Sequence, residues 1–131
     1  MIVVAVALQR SDGRMLLQRR RIGKHHGGLW EFPGGKVEVG ETPEIALIRE
    51  IDEELAVQLD PGALIPLTFA EEAGEGRRGP IVILLYTCRK WRGEPQPLDA
   101  EAIDWYLPEE LSALSMPPLD IALGRAAGLA N

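Results

Sequence analysis

The chain holds one cysteine, Cys88, set inside an apolar run. One thiol excludes an internal disulfide and suits a reducing cytosol. No apolar run is long enough to span a bilayer: the stretch from Ile2 to Leu8 is too short and lacks the signal-peptide pattern. The expectation is a cytoplasmic protein with no membrane partner. Positive charge is scarce as well, with 14 Lys and Arg against 20 Asp and Glu and a net charge of −6. That balance argues against a surface built to coat nucleic acid. Internal repeats, low-complexity tracts and linkers are missing too, so 131 residues read as one domain, 1–131. A chain of this size buries roughly two-thirds of its unfolded surface. Its charged fraction of 26% and hydrophobic fraction of 46% are those of an ordinary soluble protein.

What the chain has in excess is carboxylate, concentrated between Gly35 and Val57: GKVEVGETPEIALIREIDEELAV. Thr42 is a good helix N-cap, and Pro43 at the first helical position loses no hydrogen bond. Glu44 places negative charge near the positive end of the dipole. At about 100° per residue, Ile45, Leu47, Ile48, Ile51 and Leu55 form an apolar stripe facing a core. Arg49, Glu50, Glu53 and Glu54 fall on the opposite side, with Ala46 between them.

Glu50, Glu53 and Glu54 crowd one patch at i, i+3 and i+4, and each like-charge pair costs a bare helix roughly 0.2–0.5 kcal/mol. Arg49 offsets only part of this. The bland reading is a solvated acidic face. The sharper one is a site for a hard divalent cation, since Mg2+ takes carboxylate oxygens together with water and substrate phosphates.

The spacing decides between them. Gly35, five residues, Glu41, seven residues, Arg49-Glu50, an aliphatic, one residue, Glu53-Glu54, one residue, Ala56, an aliphatic: this resembles the Nudix box, with glycine replaced by Ala56 at the last specified position. Glycine there would close the helix in the left-handed region. Alanine carries a Cβ into that conformation, so either Ala56 is strained or the helix exits differently. Because the acidic residues precede it, the expected consequence is for stability rather than catalysis.

The rest of the chain is read in order. Ile2 to Leu8 is a buried strand, Ser11-Asp12-Gly13 a turn, and Met15 to Arg20 a second strand. A basic loop from Arg19 to Gly28 precedes Leu29-Trp30-Glu31-Phe32 and the glycine loop Pro33-Gly34-Gly35; Trp30 and Phe32 are assigned to the core. Leu64 to Glu72 reads as a strand, Glu72 to Pro80 as a charged loop, and Ile81 to Arg89 as the central strand. Lys90 to Pro97 is a turn region and Ala102 to Leu107 a short strand. A helix start lies at Pro108 and a last helix runs from about Pro118 to Gly128.

The resemblance covers essentially the whole chain and implies an α/β fold, the Nudix α/β/α sandwich with a mixed β-sheet between helices. It further implies a nucleoside-diphosphate hydrolase whose Mg2+ or Mn2+ is held by Glu50, Glu53, Glu54 and the carbonyl of Gly34. Glu50 doubles as a candidate base, while Glu41 and Arg49 hold the loop to the helix. A further carboxylate comes from Asp99 or Glu101. Arg20, His25 and Glu31 match nucleotide-contacting positions of the MutT-like branch, and Arg78 stands near a phosphate- or base-contacting arginine.

Branches acting on ADP-ribose or dinucleoside polyphosphates carry a proline or tyrosine about sixteen residues past the box. Here that neighbourhood is Glu72-Ala73-Gly74-Glu75. The implied substrate is therefore a small nucleoside triphosphate, 8-oxo-dGTP first, split to monophosphate and pyrophosphate by a monomer. Asp120 stands where the best-known form has asparagine facing the base. If ionised it only accepts, which suits the amino group of cytosine and a CTP or dCTP substrate; if protonated it also serves oxidised guanine. Its bland reading is a helix N-terminal residue stabilised by the dipole. A nucleotide-binding sensor without turnover would be favoured by an eroded acidic triplet, which is intact here. Decapping of RNA ends would need a basic groove.

Overall fold

The computed structural model describes residues 1–74 and 76–129. Among the described residues, nine strands and two α-helices follow one another. They are β1 (Ile2–Leu8), β2 (Met15–Arg19), β3 (Trp30–Glu31), β4 (Gly34–Lys36), α1 (Pro43–Leu55) and β5 (Gln58–Leu59). After these come β6 (Ile65–Glu72), β7 (Ile81–Cys88), β8 (Trp91–Arg92), β9 (Ala102–Tyr106) and α2 (Pro118–Ala126), with 3-10 turns at Pro61–Ala63 and Pro108–Ala113.

The main sheet runs β4-β1-β7-β6. It is mixed: β1 lies parallel to β7, with Ile2 opposite Val82 and Leu8 opposite Cys88, while β4 and β6 are antiparallel to their neighbours. Alternation along β1 builds two cores. Val4, Val6 and Leu8 pack with Leu47, Ile51 and Leu55 of α1. Ala5 and Ala7 face the other way, into a cluster containing Leu85, Phe32 and Leu123 of α2. The expected layering of helix, mixed sheet and helix is present, and β7 is one of the two central strands as read. Among the described residues, no helix is long and apolar enough to cross a membrane.

Two small antiparallel sheets join this frame, β3-β2-β9 and β5-β8. Neither the pairing of β3 nor that of β5 with β8 is visible in local sequence. The turn region expected over Lys90–Pro97 contains β8, and the glycine loop contains β4, which pairs Gly34 with Ala5 and Gly35 with Val4. Glu75, part of the expected charged loop, lies outside the described residues.

Helix α1 begins as expected: Thr42 Oγ1 accepts from the Ile45 N–H at 3.2 Å, and Pro43 opens the helix. Its sides differ from the expected pattern at two positions. Ile45, assigned to the core, is 54% exposed, and Ala46, assigned to the charged side, is fully buried. The reason is packing against the sheet: Ala46 joins the cluster with Val4, Val6 and Leu8 of β1, and Gly35 of β4 lies against Glu50 one turn on, so burial wraps from the apolar stripe onto part of the acidic side. Ile45 shares its side with exposed Asp52, seven residues on. The helix then ends at Ala56 with φ 57° and ψ 35°, its N–H donating to the Asp52 carbonyl. Of the two exits considered for Ala56, the strained left-handed one is adopted.

Candidate active site

The acidic side of α1 is organised by Arg49. Its Nε and Nη2 donate to the two oxygens of Glu41, each at 2.8 Å. Nη1 donates to Glu50 at 3.0 Å and to Glu53 at 3.4 Å, and Nη2 also reaches the Lys36 carbonyl at 3.1 Å. One guanidinium therefore ties the loop before the helix, β4 and two of the three crowded carboxylates together. The Glu41 carboxyl is held down at about 2, chiefly by its bonds to Arg49 and secondarily by the Glu38 N–H.

Glu54, the third carboxylate, stands apart from this network. Its Oε2 is buried with no hydrogen-bond partner among the described residues. Burial, and then the negative charge of Glu50, Glu31 and Asp99, pushes its pKa up to about 8. Gly35 lies against Glu50 so closely that a Cβ there would fall on the carboxylate, and one at Gly34 would fall on the backbone of Val4 and Ala5. The two glycines let β4 thread between β1 and the acidic helix.

These donors fit a hard divalent cation. They are carboxylate and carbonyl oxygens, one of them buried and without a partner among the described residues, in a place where Arg49 compensates only part of the negative charge. Among the described residues no three Asp, Glu, His or Cys side chains stand close enough together to hold a metal ion by themselves, so Glu50, Glu53 and Glu54 are not brought to one point. Mg2+ does not require such a cage, since it is usually held by one or two carboxylates plus waters and substrate phosphates.

Beside Glu54 opens a cavity of about 310 Å3. Its walls bring together Arg20, His25, Glu31, Gly34, Glu54, Arg78, Asp99 and Asp120, which the sequence had assigned to one site from distant segments. Arg20 donates from Nη1 to Glu31 at 3.0 Å and from Nε to the His25 carbonyl at 2.8 Å, which folds the basic loop over the opening. Arg78 joins from the far side, 3.4 Å from His25 Nε2 and bonded to Glu72 at 3.0 Å. Phe32 is core, as read, and also lines the cavity. Trp30 is half-buried and meets Tyr106 edge-on.

At the other end, Asp120 is 7% exposed, and its Oδ1 accepts from the Phe32 N–H at 3.1 Å. Burial, then the neighbouring Glu31, pushes its pKa up to about 7. It lies in the first turn of α2, so the helix N-terminal reading describes its position, but its side chain is committed to the Phe32 N–H just after β3 and to the cavity.

The two candidates for the extra carboxylate separate. Asp99 lines the cavity and lies 4.0 Å from Arg21. Glu101 is exposed and outside the lining, its N–H donating to the Arg19 carbonyl at the start of β9. Glu41, Arg49, Glu50 and Glu53 also stand outside the lining and flank the cavity behind β4. Sequence reading passed over Gln18, buried on β2, whose Nε2 donates to Glu31 at 3.1 Å. Its signal was a polar residue directly after three apolar ones in a short strand.

The NUDIX domain profile matches residues 1–126. The chain is 34% identical over 125 residues to the CTP pyrophosphohydrolase of Escherichia coli, covering 94% of this chain and 88% of that protein. It is 31% identical over 116 residues to the 8-oxo-dGTP diphosphatase of the same organism, covering 88% and 87%. Among solved structures, the solution structure of the E. coli ORF135 protein matches with a TM-score of 0.83 at 32% identity, over 95% of this chain and 86% of that one. The MutT NUDIX hydrolase of Burkholderia pseudomallei matches with a TM-score of 0.79 at 29% identity, over 98% and 95%.

Proposed function

This chain belongs to the NUDIX family of hydrolases, and from that premise we propose that it cleaves a nucleoside triphosphate to monophosphate and pyrophosphate in the MutT manner, with 8-oxo-dGTP as substrate. The observation that carries the reading is Glu54, with one oxygen buried and unpartnered among the described residues, in the wall of a cavity whose rim carries Arg20 and Arg78. Nudix hydrolases work with divalent metal ions, here Mg2+ or Mn2+. Glu50, Glu53, Glu54 and the Gly34 carbonyl would hold the ion, with Asp99 as the better-placed additional carboxylate. Once bound, the ion supplies charge neutralisation at the phosphoryl oxygens and lowers the pKa of water.

The chain's own groups do the remainder. Arg20 and Arg78 draw the triphosphate to the rim by charge, with the His25 ring beside them, and Glu31 fixes Arg20 in the orientation that reaches it. Glu50 takes the proton of the attacking water. Arg49 and Glu41 hold Glu50 and Glu53 in place without touching substrate. Phe32 and Asp120 receive the base. In this reading the protein is a cytoplasmic monomer.

Asp120 also favours a second substrate, CTP or dCTP. With a pKa near 7, it is partly ionised at neutral pH, and an ionised carboxylate accepts from the cytosine amino group. The relative named for CTP hydrolysis points the same way. A pyrophosphate-release assay with Mg2+ and a panel of 8-oxo-dGTP, dGTP, CTP and dCTP tests both. Release of inorganic phosphate alone from every nucleotide would overturn the cleavage position. Tight binding without turnover would instead make the chain a nucleotide sensor.

A further inference from the structure

Just after β2, Arg20 and Arg21 part company. Arg20 turns toward β3, where its Nη1 donates to Glu31 at 3.0 Å. Arg21 turns the other way, toward the segment leading into β9. Its Nη2 donates to the Leu98 carbonyl at 3.3 Å, and its Nε stands 4.0 Å from Asp99 Oδ1. Both side chains line the cavity, as does Arg78. The three guanidiniums differ in how far their charge is already used. Arg20 and Arg78 each hold a carboxylate at 3.0 Å, of Glu31 and Glu72. Arg21 meets Asp99 only at the outer limit of an ion pair, with both side chains half exposed. A pair so placed is weak, and Arg21 gives up little when a stronger anion arrives.

The surroundings of Arg21 say which anion that is. Asp120 and the Phe32 N–H, bonded to each other, mark the end of the cavity that receives the base. Glu54 belongs to the phosphate end, and Asp99 is near enough for its charge to act on Glu54. Arg21 stands beside Asp99 on the exposed rim. A nucleotide laid along the cavity, with its cleaved anhydride at Glu54, therefore carries its outermost phosphate toward Arg21. That phosphate offers three oxygens, and a guanidinium meets two of them with a fork of N–H donors. Asp99, assigned above to the ion, does not repel the phosphate once the ion is bound. Resting on the nucleotide reading above, we propose that Arg21 is a specificity-determining residue that binds the terminal phosphate and selects triphosphates over diphosphates.

The diphosphate is the internal control. A substitution that merely disturbed Asp99, and with it the ion, weakens both nucleotides alike; only a lost contact to the third phosphate separates them. The test measures, by calorimetry with Mg2+, affinities for the α,β-methylene tri- and diphosphates of deoxyguanosine and deoxycytidine, which resist cleavage at that bridge. Wild type is compared with Arg21→Gln and with Lys24→Gln, which removes another exposed cation of the same loop and lining. Arg21→Gln is expected to lose about tenfold on the triphosphate analogue and less than about twofold on the diphosphate, the scale of one charge-assisted hydrogen bond. Lys24→Gln is expected to leave the ratio within about twofold of wild type. An Arg21→Gln ratio within about twofold of wild type overturns the assignment. So does an equal fall in Lys24→Gln, because the preference then belongs to the general charge of the rim. A wild-type protein that binds the analogues but releases no pyrophosphate from the natural triphosphates defeats the cleavage reading alone, and the ratio still decides Arg21; absence of binding to every analogue defeats both.

Discussion

Arg49 and Glu41 form a two-pronged ion pair, Nε to one carboxylate oxygen and Nη2 to the other, both at 2.8 Å. The fork joins the loop after β4 to the middle of α1 and leaves the remaining nitrogen for Glu50 and Glu53. Lysine offers a single point of charge and cannot span that set. Arg49→Lys is expected to lower kcat by about 10- to 100-fold, the usual cost of disturbing groups that orient metal ligands, while the protein stays folded. Steady-state kinetics beside a thermal melt check this; unaltered kcat would remove Arg49 from the positioning role.

The same pair sets an acid dependence. The Glu41 carboxyl lies lower in the folded protein, at about 2, than its ordinary value of 4.5. Its contribution to stability is therefore complete above about pH 4.5 and is lost as pH falls through 2. Urea unfolding of wild type and Glu41→Gln should show a gap at pH 6 that closes toward pH 2. A gap that is constant with pH would contradict the assignment.

Glu54 is mostly protonated at pH 7 in the metal-free protein, so Glu54→Gln resembles it in charge and shape. The fold should tolerate the change at neutral pH. Turnover should fall on the order of 100-fold or more, because several kcal/mol of metal-assisted stabilisation are at stake and each decade is about 1.4 kcal/mol. Glu53→Gln, at an exposed position, is expected to lose turnover similarly with no change in melting temperature. EDTA should abolish wild-type activity and excess Mg2+ restore it; activity that survives chelation would rule out the metal reading.

Asp120 gives the opposite sign to Glu41. Its folded pKa, about 7, lies above its ordinary 3.8, so the folded state binds the extra proton between those values and stability declines as pH rises through that window. Asp120→Asn keeps an oxygen for the Phe32 N–H and abolishes the charge. Its melting temperature should exceed that of wild type at pH 8 by about 4 °C or more and match it near pH 4. The same variant should shift preference away from CTP, which competition between CTP and 8-oxo-dGTP would reveal.

Ala56→Gly removes a Cβ from a residue at φ 57°. The left-handed penalty of roughly 1–2 kcal/mol is partly offset by glycine's greater loss of entropy, so a gain of about 0.5–1 kcal/mol is expected in urea unfolding, with kcat unchanged.

Much of this was legible because it is written locally. The cap at Thr42, the proline after it and the spacing of Glu41, Arg49, Glu50, Glu53 and Glu54 all lie within one stretch, and Ala56 announced its own strain. What local pattern could not supply was contact across the chain. Ala46 is buried because it packs in one cluster with Val4, Val6 and Leu8 of β1, far back in the chain, and nothing around Ala46 says so. Gln18 meets Glu31 only through strand register. Asp99 and Glu101 were separable only by which of them faces inward.

The parallel pairing of β1 with β7 sets a schedule for synthesis. Residue 2 waits for residue 82 before the middle of the sheet can close. At about 5–20 residues per second, that delay on the ribosome is roughly 4–16 s. Throughout it the Ile2–Leu8 segment, almost wholly aliphatic, can pair only with β4 and leaves its other edge open. The nascent chain therefore passes through an interval in which one edge of an aliphatic strand is open, and translation that pauses between β1 and β7 will lengthen it.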